Sequence, residues 1–440
     1  MLTQRQARIV GTLMVLSLCH ACGGGGGSTS SNSTAGTTTG TSTGTTTGTS
    51  TGTTTGTSTG TTTGTSTGTS TGILTPADLA GKSLSNQQCT GVDKPPLTTL
   101  PMAQDDFAYI LPYGLMIGGH VTPVDHQYFS PTIFDSAPGT YPVVAMADSV
   151  LHGITTRTHA GQGSYKNQTI TDYRMVFSLS CRLLYYYDLV NELAPGLQEQ
   201  LNASNGKLAV RAGQVIGRIG NQTLDFAVWD TDKPLPHFLV PQHYDRESWK
   251  IYTADPLDYY DAPTKAKALS KTLRAVAPLS GRIDFDQDNR LIGNWFAANS
   301  DGSTTGYAGT GDGEYWVTHA AFAPHFLDPS QFVISIGNWP KPTGASQFIS
   351  VEGSPDPANV EPATGLVKYT LANFEQRVQG QIWDGKSLPN GAISIVVQSG
   401  LKGCLLVQML GAREMKAQAF PDQTCAAVNG FSNAAQRYIR

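Results

Sequence analysis

The sequence lacks the short motifs by which many hydrolases are recognised. It contains no H-E-x-x-H and no G-x-S-x-G, so neither a helix-borne zinc pair nor a nucleophile elbow is present. Its six cysteines include a single C-x-x-C, Cys19–Cys22, and that pair lies at the very start of the chain. No run of 18 apolar residues follows, which leaves no segment able to span a bilayer as a helix. Basic residues are not in excess: 29 Lys and Arg face 33 Asp and Glu, a formal charge of −4. Without a basic patch, nucleic acid is not an expected partner. Between Gly23 and Gly72 charge vanishes altogether, and apolar residues nearly so.

What is present at the N-terminus is an export signal over residues 1–22. Arg5 and Arg8 precede an apolar stretch from Ile9 to Leu18, then LCHACGGGGGS. That is the order of a secretory leader rather than a membrane span. Ala21-Cys22 resembles a lipobox, which implies cleavage before Cys22 and a lipid on its sulfur. In the linker that follows, residues 23–75, the unit TTTGTSTG occurs four times from Thr37 to Gly68. Such a tract buries nothing and should stay disordered. As a flexible coil of about 50 residues it spans ~40 Å on average. A lipid at one end and a domain at the other would make it a tether in a bacterial cell envelope, at the outer membrane or in the periplasm. Cys89, Cys181, Cys404 and Cys425 then remain, and three pairings are open. Cys404 with Cys425 is preferred, since both sit in the C-terminal β-rich part and would close a short loop.

Residues 76–440 carry essentially all the aromatic and charged side chains, and the length is compatible with two domains. From 76 to 260, short apolar stretches are split by Gly, Pro, Asn and Asp, the pattern of β-structure with turns. In DYRMVFSLSC (172–181), Tyr173, Met175, Phe177 and Leu179 alternate with mainly polar residues, which predicts a half-buried strand. LLYYYDLVNEL (183–193) is compatible with a strand end and a short helix. One connecting helix is expected over 261–280, with Leu269, Leu273 and Val276 on one face. Residues 281–440 return to β, with a spacing that suggests an antiparallel sandwich or barrel. FSNAAQRYIR (431–440) reads as a short closing helix. The fold class expected is therefore mainly β, with few helices.

Three fragments in order carry a family resemblance. PVVAMADSVLHGI (142–154), YYYDL (185–189) and RAGQVIGRIG (211–220) are similar to the strand pair, the tyrosine motif and the glycine-punctuated segment of lysostaphin-type (M23) zinc endopeptidases. The resemblance covers roughly residues 110–230. It implies a lysostaphin-like antiparallel β-domain, the duplicated hybrid motif, within 76–260. It also implies a zinc held by a His and an Asp of H-x-x-x-D and by the second His of H-x-H. An open tetrahedral zinc of that kind acidifies a bound water and polarises the scissile carbonyl.

Carried over residue by residue, the chemistry is largely missing. In GHVTPVDHQYFSP (119–131), either His126 matches the motif's His with Ser130 in place of its Asp, or His120 and Asp125 serve with one residue too many between them. The H-x-H positions fall on Thr223 and Asp225, and the histidine after the tyrosine falls on Leu189. Losing both proton-carrying histidines removes the groups that would work near neutral pH. A rebuilt site from His120, Asp125, His126 and Asp225 is the one metal centre these residues would allow, with zinc as its ion.

The expectation is thus a lipid-anchored envelope protein with no catalytic residues of the family type and no required cofactor. It would bind peptidoglycan or regulate a partner hydrolase through a peptidase-like module. The alternative is a zinc-dependent peptidoglycan endopeptidase using the rebuilt set. Other constellations read as structural. Asp284-Phe285-Asp286-Gln287-Asp288 begins like a calcium loop but lacks its glycine and closing Glu, and is expected as a solvated turn. The pairs His237/His243 and His319/His325, and the tryptophans Trp229, Trp295, Trp316 and Trp339 with Tyr185, Tyr186 and Tyr187, read mainly as core or surface.

Overall fold

A computed structural model describes residues 91–160, 163–304, 306–308, 315–340, 346–351 and 353–440. The leader, Cys22, the Thr/Gly/Ser tract and Cys89 lie outside the described residues. The first strands are β1 (Phe107–Leu111), β2 (Gln127–Pro131), β3 (Tyr141–Val144), β4 (Ser149–Ala160), β5 (Thr169–Ser178), β6 (Leu183–Val190) and β7 (Glu192–Leu193). A short helix α1 (Leu197–Ala203) precedes β8 (Leu208–Val210), β9 (Val215–Ile219), β10 (Leu224–Asp230) and β11 (Thr253–Ala254). Helix α2 (Ala262–Leu269) leads to β12 (Gly293–Ala297), β13 (His319–Pro324), β14 (Phe332–Ile336) and β15 (Ser346–Ser350). The remaining strands are β16 (Leu366–Val378), β17 (Gln381–Ile382), β18 (Ile393–Gly411), β19 (Glu414–Pro421) and β20 (Gln436–Ile439).

These form three sheets. The first runs β1-β2-β10-β6-β5-β4-β8, with β11 added to β10, and a small sheet runs β3-β9-β7. The third runs β15-β14-β13-β12-β20-β19-β18-β16 and closes on itself where β16 pairs back with β15, leaving β17 as an appendage. Eight antiparallel strands thus make a closed barrel, which removes all but short edges. The protein is mainly β, as the pattern of short apolar stretches predicts.

The centre of the first sheet, β6 and β10, is buried on both faces. All eight residues of β6, LLYYYDLV, are buried, so no alternation of polarity betrays the strand. Tyr185 and Tyr187 enter the core shared with the small sheet, and Tyr185 stacks on Phe177 at 4.7 Å. Tyr186 points the other way and stacks on Trp229 at 4.8 Å. The helix expected near 183–193 is displaced to α1. The glycines of RAGQVIGRIG have a packing reason: a Cβ on Gly217 would stand 2.5 Å from the Glu192 carbonyl oxygen, and one on Gly220 would meet Ala137 at 1.9 Å. Only glycine lets the small sheet and its loop approach so closely.

Barrel and first sheet share a core. Tyr109, Leu111 and Tyr128 from the sheet pack with Ala321, Val333 and Ile349 from the barrel wall. Three sequence expectations need correction here. The connecting helix stops at Leu269, because the chain turns away to bridge β1: Ile110 N–H donates to Lys271 O at 2.8 Å and Leu273 N–H to Ile110 O at 3.1 Å. Leu273 is buried, but Leu269 and Val276 remain 37% and 50% exposed. Residues 431–440 contain strand β20, which completes the barrel between β12 and β19. The acidic turn is only partly solvated: Asp288 is exposed, but Asp284 accepts from His237 N–H at 3.2 Å and Asp286 accepts from Asn294 N–H at 2.7 Å, both of these carboxylates being buried. Trp229, Trp295, Trp339 and Tyr185–Tyr187 are core, as expected for large aromatics in a β-domain; the Trp316 side chain lies outside the described residues.

His319 and His325 are core as well. His319 Nε2 lies 3.1 Å from the Tyr307 carbonyl, and His325 Nδ1 accepts from Leu327 and Asp328 N–H at 3.2 and 3.3 Å. Burial pushes both imidazoles down to about 3. An unfolded chain takes up these protons below the ordinary histidine pKa while the folded chain refuses them, so stability falls as pH drops from about 6.5 towards 3. The thermal midpoint should decline across that window, and His325→Asn, which keeps an acceptor without titrating, should flatten the slope. In the barrel, Cys404 and Cys425 form a disulfide closing a 21-residue separation. Replacing both by Ala should cost about 3 kcal/mol in guanidinium unfolding, by the loop-closure entropy returned to the unfolded chain.

Candidate functional site

The site lies on the Tyr186 face of the first sheet, where three strands align. In register, Asp225 of β10 sits opposite Tyr128 of β2 on one side and Asp188 of β6 on the other. Directly paired residues project to the same face, so the three side chains form one row. His126, just before β2, reaches into it: its Nε2 lies 3.3 Å from Asp225 Oδ2 and 3.1 Å from the Tyr128 hydroxyl. Its Nδ1 lies 3.3 Å from Asp125 Oδ1. His120 stands edge-on, 5.7 Å between ring centres. It is carried by a tight turn, with Ile117 and His120 exchanging backbone hydrogen bonds at 3.1 and 2.9 Å. Gln347 of the barrel strand β15 holds that turn through both Gly118 N–H and Gly118 O. The structure therefore brings His120, Asp125, His126 and Asp225 together. Ser130, the other candidate for the motif's Asp, instead stands opposite Tyr109 across the β1–β2 ladder.

Several residues at the site were not singled out by sequence reasoning. Two short 3-10 turns over Pro241–Tyr252, broken at Glu247 (φ −134°, ψ 48°), cover the row and deliver three of them. Lys250 is 1% exposed, with Nζ 3.3 Å from Asp125 Oδ1 and 4.8 Å from the centre of the Tyr307 ring. Trp249 Nε1 donates to Asp125 Oδ2 at 2.8 Å. Glu247 sits nearby, its carboxyl pushed up to about 7, chiefly by burial. On the far side Arg157 and Arg174 pair with Asp188, Arg174 Nε at 2.7 Å, and Arg174 also lies over the Tyr186 and Trp249 rings. The contacts of Trp249 and Lys250 with Asp125 join positions more than a hundred residues apart, and nothing in the local pattern of ESWKIY marks Lys250 as buried.

The electrostatics follow from this layout. Burial alone would raise the Asp125 carboxyl, but Lys250 and His126 outweigh it and hold it well below the ordinary range. Burial works against the His126 imidazolium too, yet Asp225 and Asp125 keep its pKa above normal. Asp188 is likewise held low, against burial, by Arg174 and Arg157. His120, by contrast, is pushed down to about 3 by burial, His126 and Lys250, and is neutral. The centre is thus a closed set of charges that compensate one another.

Does this set fit a zinc ion? Two buried atoms, His120 Nε2 and Asp225 Oδ1, have no hydrogen-bond partner, which is what open ligands would offer. The other donors are engaged. Both oxygens of Asp125 serve Lys250, Trp249 and His126, and both ring nitrogens of His126 face polar partners. Among the described residues no three His, Cys, Asp or Glu side chains stand in a metal-holding arrangement. Above all, the Lys250 ammonium already holds the position of a cation against Asp125. A dication about 5 Å from one such charge would be repelled by roughly 7 kcal/mol at an effective dielectric of ~20. The residues present do not fit the metal. Leu189, in the position of the family's proton-carrying histidine, has a φ of 67°, uncommon for a bulky residue. It is held there by Asp188 Oδ1, which accepts its N–H at 2.8 Å, and by Gln222, which donates to its carbonyl at 2.7 Å.

Compared with family models and with curated proteins, the chain matches none.

Removing one half of the Asp125–Lys250 pair leaves a buried charge uncompensated. Asp125→Asn should therefore cost roughly 3–5 kcal/mol in urea unfolding. Asp125→Asn combined with Lys250→Met should recover a substantial part of that loss. If the two losses simply add, the ion pair is not the organising contact.

Proposed function

We propose that this protein is a lipid-anchored envelope protein whose first sheet forms a non-catalytic, lysostaphin-like binding module for peptidoglycan or for a hydrolase that acts on it. The order of the resembling fragments supports the family reading. PVVAMADSVLHGI supplies β3, RAGQVIGRIG supplies its partner β9, and YYYDL supplies β6, which pairs with β10. The positions answering to the family's ligands and proton carriers, His126, Thr223, Asp225 and Leu189, belong to β2, β10 and β6 or their immediate ends, which are neighbours in one sheet. Scattered matches would have no reason to meet in this way.

The observation that carries the non-catalytic reading is Lys250. A protonated amine buried against Asp125 neutralises the carboxylate that the alternative would need as a metal ligand. His120, the imidazole that stands beside His126, is depressed to about 3 and is poorly suited to pass a proton. Retained scaffold with internal charge compensation is what a binding module requires, because its surface must be shaped without water-activating chemistry inside it. The zinc endopeptidase remains the second reading, favoured only by the two unpartnered atoms, His120 Nε2 and Asp225 Oδ1.

Incubation of the purified protein with cell-wall sacculi separates the readings. Co-sedimentation without release of soluble fragments, unchanged by a chelator, is expected. Chelator-sensitive release of fragments that disappears in Asp225→Ala would establish the endopeptidase instead.

A further inference from the structure

The barrel contains a cavity that the first-sheet site does not use. Its volume is about 260 Å³. An eight-stranded barrel is just wide enough for its inward side chains to fill it or for one small ligand to replace some of them. Here the filling is uneven. Inward rows follow the strand register: Tyr369, Leu405 and Ala419 form one across β16, β18 and β19, and Val367, Val407, Ala417 and Gln436 form the next across β16, β18, β19 and β20. On the other side of the cavity Ala320 stands between Trp295 of β12 and Ile336 of β14. Large side chains such as Trp295, Tyr369 and Met409 fill one part of the interior. Alanines at 320, 417 and 419 line the part that is open.

The cavity meets solvent beside Asn338 and Pro340, both exposed. Its wall carries no charged residue, and its polar side chains are Asn338, Gln418, Gln436 and Tyr438. Ser432 engages both ends of the Gln418 amide, and the Gln436 amide nitrogen donates to the Ala298 and Arg437 carbonyls. The exposed Asn338 amide at the mouth is the group left for a ligand. An apolar body with a few convergent polar groups is the usual make-up of a small-molecule site. Since a cavity of ~150 Å³ holds benzene, this one takes a body of roughly ten non-hydrogen atoms.

We infer that the barrel binds an uncharged, compact apolar molecule, of the size of two fused rings or a short branched hydrocarbon, bearing one hydrogen-bonding group that meets the Asn338 amide at the mouth. This site is separate from the His126 row and independent of the function proposed for it.

The test is fluorescence titration of the full-length protein with 2-naphthol, a neutral two-ring probe with one hydroxyl. Saturable binding at one site is expected. It should weaken at least about tenfold in Ala417→Leu, which fills the cavity, the equivalent of 1.4 kcal/mol. Ala320→Val, on the opposite wall, should weaken binding too, and circular dichroism establishes that each variant is folded. A substitution on the outer wall of the same strand, Lys416→Ala, should leave the affinity unchanged. Absence of saturable binding to the unaltered protein overturns the inference. So does binding that survives in whichever cavity variant folds, because the probe would then sit elsewhere.

Discussion

Everything at the candidate site is arranged around one buried ion pair, Asp125 with Lys250. A carboxylate and an ammonium taken out of water are costly unless each is fully engaged. Here Asp125 receives Lys250, the Trp249 indole N–H and the His126 ring, while Lys250 also lies against the Tyr307 ring. That requirement fixes the 3-10 turns over Pro241–Tyr252 against the sheet, because Trp249 and Lys250 are neighbours on them. It also fixes His126, whose other nitrogen then faces Asp225 and Tyr128. Satisfying one pair of charges therefore positions residues from three separate parts of the chain.

The architecture supports the pair from both sides. Beneath it, the first sheet is rigid because its opposite face is buried against the small β3-β9-β7 sheet through Phe177, Tyr185 and Tyr187. Beside it, the barrel contributes Gln347 to the turn that carries His120, and Tyr307 to the environment of Lys250. Barrel and sheet thus share not only an apolar core but also a polar centre. A change that loosens the barrel should be felt at His120 before it is felt at Asp188, which is held by Arg157 and Arg174 within the first sheet.

The β-class is readable in the sequence because turn residues interrupt short apolar stretches, and a sheet needs little more than that. A sandwich and a barrel remain equivalent at that level, since closure depends on β16 meeting β15, a pairing between distant segments. The helix over 261–280 is overestimated for a physical reason. Leu273 has a helical neighbour in Leu269, but its backbone finds β1 instead, and the tertiary bond wins over the local one. LLYYYDLV conceals its strand because both faces are buried. At the site, His120, Asp125, His126 and Asp225 are legible from motif positions, whereas Lys250, Trp249 and Glu247 are not, because their meaning arises only from contacts across more than a hundred residues. The Asp284–Asp288 stretch misleads similarly: nothing local shows that Asp284 and Asp286 will be buried to accept backbone N–H groups, Asp286 also facing Arg440, while Asp288 stays exposed.

The central claim is that the cation at this site is the protein's own lysine. Calorimetric titration of zinc into the purified, chelator-treated protein tests it most directly. The account predicts no stoichiometric binding to the unaltered protein, even at tens of micromolar zinc, a range where ligand-complete catalytic sites are saturated. One zinc bound per chain with high affinity, lost in Asp225→Ala and in His126→Ala, would contradict it.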